Sequence, residues 1–189
     1  MPNAGIGAFL NRLRGLSFVT RWNFHPITRR QTVADHSFWV AIYAMMIADL
    51  SEITAPIEHI LRAALLHDME EAVTGDLPSL VKRTIGVAWD EVEKRGAKQL
   101  VGDMWLRYDY WWRYDNEDLR KIVKAADILD RVMYAEEEQM RGNQAFDRIK
   151  LESIKQLRDM HMSSVDLILD ELGYKGAGGV DLPKDMTHL

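Results

Sequence analysis

Apolar residues recur along this chain at spacings of three and four, the repeat of a helix face, whereas period-two alternation bounded by turn residues is hard to find. That property restricts the chain to an all-α fold. A first helix is predicted over residues 6–16. A polar connection containing Pro26 and Thr32 then leads into a long helix over residues 33–50. Ala55-Pro56 opens a third helix, with the proline where a first-turn proline is tolerated. It is predicted to run to Val73 and to stop at Thr74-Gly75-Asp76-Leu77-Pro78, where breakers crowd and a functional loop is expected. A long segment over residues 87–112 follows, and Asp115-Asn116 offers an N-cap for a helix reaching Arg141. Gly142-Asn143 closes that helix, and a last one is predicted over residues 147–172.

A length of 189 residues suits one domain with one core, placed at residues 1–172. Four glycines within residues 173–179 mark residues 173–189 as a flexible tail. The apolar run around residues 40–50 is interrupted by Asp49 and flanked by His36 and Glu52, so no membrane span is expected. The chain has no cysteine, which excludes disulfides, thiolate metal sites and cysteine nucleophiles; any transition metal must be held by His, Asp and Glu. A net charge of −5 gives no general reason to bind a nucleic-acid polymer. The basic residues are nevertheless uneven: Arg12, Arg14, Arg21, Arg29 and Arg30 all precede the first acidic residue, Asp35. An organellar targeting segment would be serine-rich, and this stretch holds a single serine, so a cytoplasmic protein is expected, in the host cytoplasm if phage-encoded.

The residues that carry chemistry are His36, the pair His67-Asp68, and Asp127. Each falls on the apolar side of its predicted helix. His36 shares a face with Val33, Val40 and Ala44; His67 follows Ile60 and Ala64; Asp68 follows Leu61 and Leu65; Asp127 joins the stripe of Leu119, Val123 and Ala126. A lone inward-facing His is more often a hydrogen-bonded core residue than a ligand. Two inward carboxylates beside two imidazoles are different, because burying the carboxylates is costly unless a cation or donors meet them. A single divalent metal satisfies all four, and ligands without sulfur suit manganese, iron, cobalt, nickel or zinc alike.

Four segments then make a specific resemblance: Thr32-Val33-Ala34-Asp35-His36-Ser37, Leu66-His67-Asp68-Met69-Glu70-Glu71, Thr74-Gly75-Asp76-Leu77-Pro78 and Lys124-Ala125-Ala126-Asp127. They resemble the HD-domain phosphohydrolases, and with Arg21-Trp22 upstream they are most similar to the bacterial 5′-deoxynucleotidase branch. The compact phage deoxyadenosine triphosphate triphosphohydrolases are similar to the same branch. The resemblance implies an HD-domain helical bundle with one metal site at its centre, held by His36, His67, Asp68 and Asp127. It gives Glu71 the role of general acid or base, in keeping with the i, i+4 spacing from His67. It gives Asp76 an assisting role near the water or the leaving group. Arg21 and Lys82 would hold phosphate oxygens; Trp22 would pack on the sugar and exclude a ribose 2′-hydroxyl; Arg29 would support the site or the phosphate. Glu70, about 100° around the helix from Glu71, is expected to be solvated.

The implied reaction is metal-dependent hydrolysis of deoxyribonucleotides, most simply of a monophosphate to deoxynucleoside and phosphate. Release of tripolyphosphate from a deoxynucleoside triphosphate would use the same ligands. A two-metal phosphodiesterase or oxygenase would need further histidines, and His25, His59, His161 and His188 form no matching second cluster. A non-catalytic nucleotide-binding module stays open because fold does not fix function. The aromatic residues Trp105, Tyr108, Tyr110, Trp111, Trp112 and Tyr114 match no motif and suit a core, a base pocket or the contact of a homo-oligomer.

Overall fold

The computed structural model describes residues 6–53, 55–101 and 116–174. Among them there is no strand, and the backbone pairing outside helices is an isolated antiparallel bridge between Thr20 and Thr32. The all-α expectation holds. The helices are α1 (Ile6–Leu13), α2 (Val33–Asp49), α3 (Ile57–Leu66), α4 (Glu71–Thr74), α5 (Ser79–Ile85), α6 (Val87–Val101), α7 (Glu117–Met140), α8 (Asp147–Arg158) and α9 (Ser163–Glu171). No helix among the described residues is long and apolar enough to cross a membrane. The aromatic stretch noted in the sequence and residues 175–189 lie outside the described residues.

The longest helices are anchored by their caps. Thr32 Oγ1 accepts from Asp35 N at 3.1 Å while Asp35 Oδ2 accepts from Thr32 N at 3.0 Å, a reciprocal box that fixes the first turn of α2. Asn116 Oδ1 accepts from Leu119 N at 3.1 Å and starts α7 where the sequence placed it. Gly142, at φ 84°, ends the same helix in a conformation that a side chain would strain.

Packing divides into two main bodies of apolar contact. The larger contains Val40, Ala44 and Ile47 of α2, Ile60 and Ala64 of α3, Ile122, Ala126 and Leu129 of α7, Leu157 of α8, and Val165 and Leu169 of α9. The smaller joins Phe9 of α1, Met69, and Ala97 and Leu100 of α6, with Leu66 and Ala72 against them. A satellite of Tyr134, Ala135 and Phe146 packs with Trp22 and Ile27.

Three helix boundaries differ from expectation. The first helix gives way to a 3-10 turn at Arg14–Ser17. The third stops at Leu66, and residues 67–70 form tight turns before α4. Their bonds run three residues back: Met69 N to Leu66 O at 3.2 Å and Glu71 N to Asp68 O at 3.1 Å. The last predicted helix is broken between Arg158 and Ser163, where His161 adopts φ 51°. The Arg158 guanidinium bridges the break, with Nη1 2.7 Å from Asp166 Oδ1 and Nη2 2.5 Å from Asp170 Oδ1. Tyr174, the last described residue, packs on the larger core and donates to Glu136 at 2.7 Å. The apolar pattern also gave no separate sign of α5.

Candidate metal centre and phosphate site

The site is assembled where the start of α2, the end of α3, the turns before α4 and the middle of α7 meet. The bridge between Thr20 and Thr32 closes residues 21–31 into a loop, with Arg21 N donating to Gln31 O and Val33 N to Val19 O, both at 3.0 Å. Arg21 is thereby held beside the first turn of α2, which carries His36. The turns at residues 67–70 swing His67 and Asp68 toward α7, where Asp127 lies.

The four residues expected to be ligands come together. His36 Nε2 lies 3.2 Å from His67 Nε2, 3.6 Å from Asp68 Oδ2 and 3.5 Å from Asp127 Oδ1. Asp68 Oδ2 is also 3.2 Å from His67 Nε2. The ligating atoms of His36, His67 and Asp127 all lie within 4.8 Å of one another. This nitrogen and oxygen donor set, facing inward on a common point, fits one divalent transition metal. The far side of each ring is also accounted for: His36 Nδ1 is 2.6 Å from Asp130 Oδ2, and His67 Nδ1 is 2.7 Å from the Ala64 carbonyl.

In the protein alone, two buried carboxylates are held ionised by the imidazoles and cations around them. Burial would raise Asp68, but His67, His36 and Arg21 hold it well below the carboxylate range. Burial likewise opposes ionisation of Asp127, and Lys124, His36, His67 and Arg21 outweigh it. Lys124 Nζ is 2.7 Å from Asp127 Oδ2. Burial pulls His67 down, yet Asp68 and Asp127 push it up to about 9, the response of an imidazole standing among carboxylates. His36 goes the other way: burial and then Arg21 lower it, against Asp130.

Charged groups beside this cluster form a second set. Arg21 Nη1 is 3.4 Å from Asp68 Oδ2, and its buried Nε has no hydrogen-bond partner. Glu71 is 1% exposed; one carboxylate oxygen accepts from Lys82 Nζ at 2.9 Å and the other, Oε2, is buried without a partner. Burial, Asp68 and Asp76 together push Glu71 up to about 8, with Lys82 opposing. Asp76 also raises Arg21, so the charge of this loop carboxylate acts on both groups. Lys82 lies 5.6 Å from the Trp89 ring and 4.0 Å from Glu93.

One expectation is overturned, and two further residues show where their contacts lead. Glu70 is not solvated: it is 4% exposed, and burial followed by Asp68 raises it to about 8. The reason is the break after Leu66, because the 100° step that would turn Glu70 outward presumes a continuous helix. Trp22 stacks flat on Tyr134, with ring centroids 5.2 Å apart, meets Phe146 edge-on, and donates Nε1–H to Gln31 Oε1 at 2.9 Å. Arg29 pairs with Glu137 at 2.6 Å, and its backbone N–H reaches Glu138 Oε1, so its contacts lead to α7 and not to the cluster.

Sequence reasoning gave no role to Asp130, Gln31 or Glu138. Asp130 carried a legible signal, standing three residues after Asp127 among Ile128, Leu129 and Val132. Glu138 recurs on the same buried face two turns later, where its carboxylate accepts from Thr28 N, Arg29 N and Asn143 Nδ2. Gln31 lies in a loop, where periodicity says nothing.

The chain and its fold are similar to known proteins. A family model described as 5′-deoxynucleotidase YfbR-like matches residues 8–174. A 5′-deoxynucleotidase of Pectobacterium atrosepticum is 30% identical over 174 residues, covering 85% of this chain and 87% of that protein. Among solved structures, a Pyrococcus horikoshii protein superposes with a TM-score of 0.75 at 23% identity, covering 89% of this chain and 99% of its own. An HD-domain phosphohydrolase of Listeria innocua gives 0.74 at 21% identity, covering 89% and 88%. The cyanophage S-2L HD phosphohydrolase, bound to dA and one catalytic Zn2+ ion, gives 0.63 at 17% identity, covering 88% and 96%. These structural likenesses establish a common fold, and the sequence match goes further: the chain is a member of the YfbR-like 5′-deoxynucleotidase family.

Proposed function

We propose that this protein hydrolyses the 5′-phosphomonoester of deoxyribonucleoside monophosphates, giving deoxynucleoside and phosphate, with one divalent transition metal held by His36, His67, Asp68 and Asp127. The observation that carries the reading is a matched pair of unmet needs beside the His and Asp cluster. The buried Arg21 Nε is a donor without an acceptor, and the buried Glu71 Oε2 is an acceptor without a donor. A phosphate oxygen suits the first, and a water or a protonated leaving oxygen suits the second.

A divalent ion in this site supplies Lewis acidity toward the phosphoryl oxygen and the attacking water. The remaining work belongs to side chains. Arg21 offers a forked donor set and Lys82 a compact charge, and both offset charge that develops on the phosphoryl oxygens. Glu71, raised to about 8, exchanges at neutral pH between a predominant protonated form and a minor ionised one. That suits a group that takes a proton from water and returns one to the departing O5′. Asp76, whose charge acts on Glu71, would assist in this duty. Trp22 stands next to Arg21, its ring 6.0 Å from the guanidinium carbon, so its edge would border a sugar whose phosphate Arg21 holds. Arg29, through Glu137, would support the loop that carries both.

The test is to supply manganese, cobalt or zinc to metal-stripped protein and measure the phosphate species released from deoxy- and ribonucleoside mono- and triphosphates. Orthophosphate from deoxymonophosphates, lost in Glu71→Gln while the protein stays folded, is the expected result. Tripolyphosphate from a deoxytriphosphate would transfer the same residues to a triphosphohydrolase. No release from any substrate would end the enzymatic reading.

A further inference from the structure

Behind His36 runs a buried relay of four side chains. Trp22 Nε1 is 2.9 Å from Gln31 Oε1, Gln31 Nε2 is 2.8 Å from Asp130 Oδ2, and the same Asp130 oxygen is 2.6 Å from His36 Nδ1. Gln31 is 2% exposed, Asp130 3% and His36 0%. We propose that Asp130 and Gln31 are a positioning pair that fixes the ring and tautomer of His36, so that its Nε2 lone pair is presented to the metal.

The direction of every bond in the relay follows from what each group can do. An indole nitrogen is donor only, so the Gln31 atom facing Trp22 is its carbonyl oxygen. The amide nitrogen of Gln31 must then face Asp130. An ionised carboxylate only accepts, so both Gln31 Nε2–H and His36 Nδ1–H donate to it. An imidazole that ligates a metal is neutral and carries a single proton. That proton sits on Nδ1, and Nε2 is left as the free donor atom toward His67, Asp68 and Asp127. A carboxylate on the outer nitrogen also makes the inner one a stronger ligand. His67 is oriented differently, by the neutral Ala64 carbonyl, so the two imidazoles are inequivalent and His36 is the more strongly donating of the pair. The sharing of one Asp130 oxygen between two donors places Gln31 as the group that limits how far Asp130 can turn.

The inference rests on the reading of His36 as a ligand, and the two can fail separately. Cobalt(II) is titrated into metal-stripped wild type, His36→Ala, Asp130→Asn and Gln31→Met, with affinity read by calorimetry and ligand field by the visible spectrum. The tautomer of His36 is read from nitrogen-15 shifts. Asp130→Asn is expected to weaken cobalt about 10- to 100-fold, the usual effect of losing an outer partner of a metal-bound imidazole. It should also shift the cobalt spectrum and let His36 populate both tautomers. Gln31→Met, which keeps the Asp130–His36 contact, should weaken cobalt by a smaller factor, and it carries the test if Asp130→Asn does not fold. Unchanged affinity and spectrum in these variants, with binding lost in His36→Ala, would overturn the positioning pair alone. Unchanged affinity in His36→Ala would overturn the ligand reading and the pair with it.

Discussion

Glu138→Gln should destabilise the protein by about 2–4 kcal/mol at neutral pH, and the deficit should shrink in acid. The carboxylate sits at the end of α7 and accepts from Thr28 N at 2.8 Å and Asn143 Nδ2 at 2.6 Å on one oxygen, and from Arg29 N at 2.9 Å on the other. An amide loses least by turning its NH2 toward Arg29, which leaves that backbone N–H facing a second donor. One buried unpaired donor costs about 1–3 kcal/mol, and the other two bonds lose their ionic character for about 1 kcal/mol more. The same three bonds can be weighed through the protonation of the carboxylate. Burial would raise Glu138, but Asn143, Thr28 and Arg29 bring it down from 4.5 to about 2. That is about 3 kcal/mol at 1.36 kcal/mol per pH unit. The side chain is covered but lies at the end of a helix, and discounting for solvent screening reduces this to about 2 kcal/mol. A carboxylate depressed in the folded state contributes stability that is fully present above its unfolded value of 4.5 and is lost as pH falls toward 2. The difference between wild type and Glu138→Gln in urea denaturation should therefore be about 1 kcal/mol smaller at pH 3.5 than at pH 7. A difference under about 1 kcal/mol at pH 7, or one that does not change with pH, would refute the claim that this ionised carboxylate pins the loop.

Three further outcomes are expected. Cobalt or zinc at about a hundred times its dissociation constant should stabilise metal-stripped protein by about 2.7 kcal/mol, and His67→Ala should remove that gain in a thermal melt. Lys82→Met removes the charge that lowers Glu71. If Glu71 acts ionised toward water, the acid limb of the kcat/KM profile should move to higher pH; a profile that falls in height without moving would confine Lys82 to phosphate binding. Phe146→Ala empties a position that is 0% exposed beside Trp22 and Tyr134, and calorimetry should show a loss of about 3–5 kcal/mol.

The sequence made some of this legible and not the rest, for identifiable reasons. His36 and Asp127 were readable because each sits in an unbroken helix whose apolar stripe fixes which way the side chain turns. The caps of α7 were readable because Asn116 and Gly142 are residue types with one strong local use. The break after Leu66 was hidden, since Met69, Ala72 and Val73 continue a plausible helical spacing and no Gly or Pro interrupts it before Gly75. The misplacement of Glu70 followed from that one boundary. The break at residues 159–162 was hidden for the same reason, as nothing around Met160, His161 and Met162 is a breaker. The relay behind His36 was out of reach because its middle member, Gln31, belongs to a loop that meets α7 only after the chain has folded across 99 positions.

The two main bodies of apolar contact have a consequence for where the molecule can loosen. His36 and Asp127 are rooted in the larger body, whereas Glu71 and Lys82 belong to α4 and α5, which lean on α6 and the smaller one. The two are joined across the site by the tight turns at residues 67–70. An excursion that opens the smaller body is therefore expected to carry Glu71 and Lys82 away while His36 and Asp127 keep their places. Amide exchange should record this as weaker protection in α4, α5 and α6 than in α2 and α7. Under the proposed function, the residues that would hold the cation and those that would move protons are thus expected to open at different rates, set by two cores of unequal size.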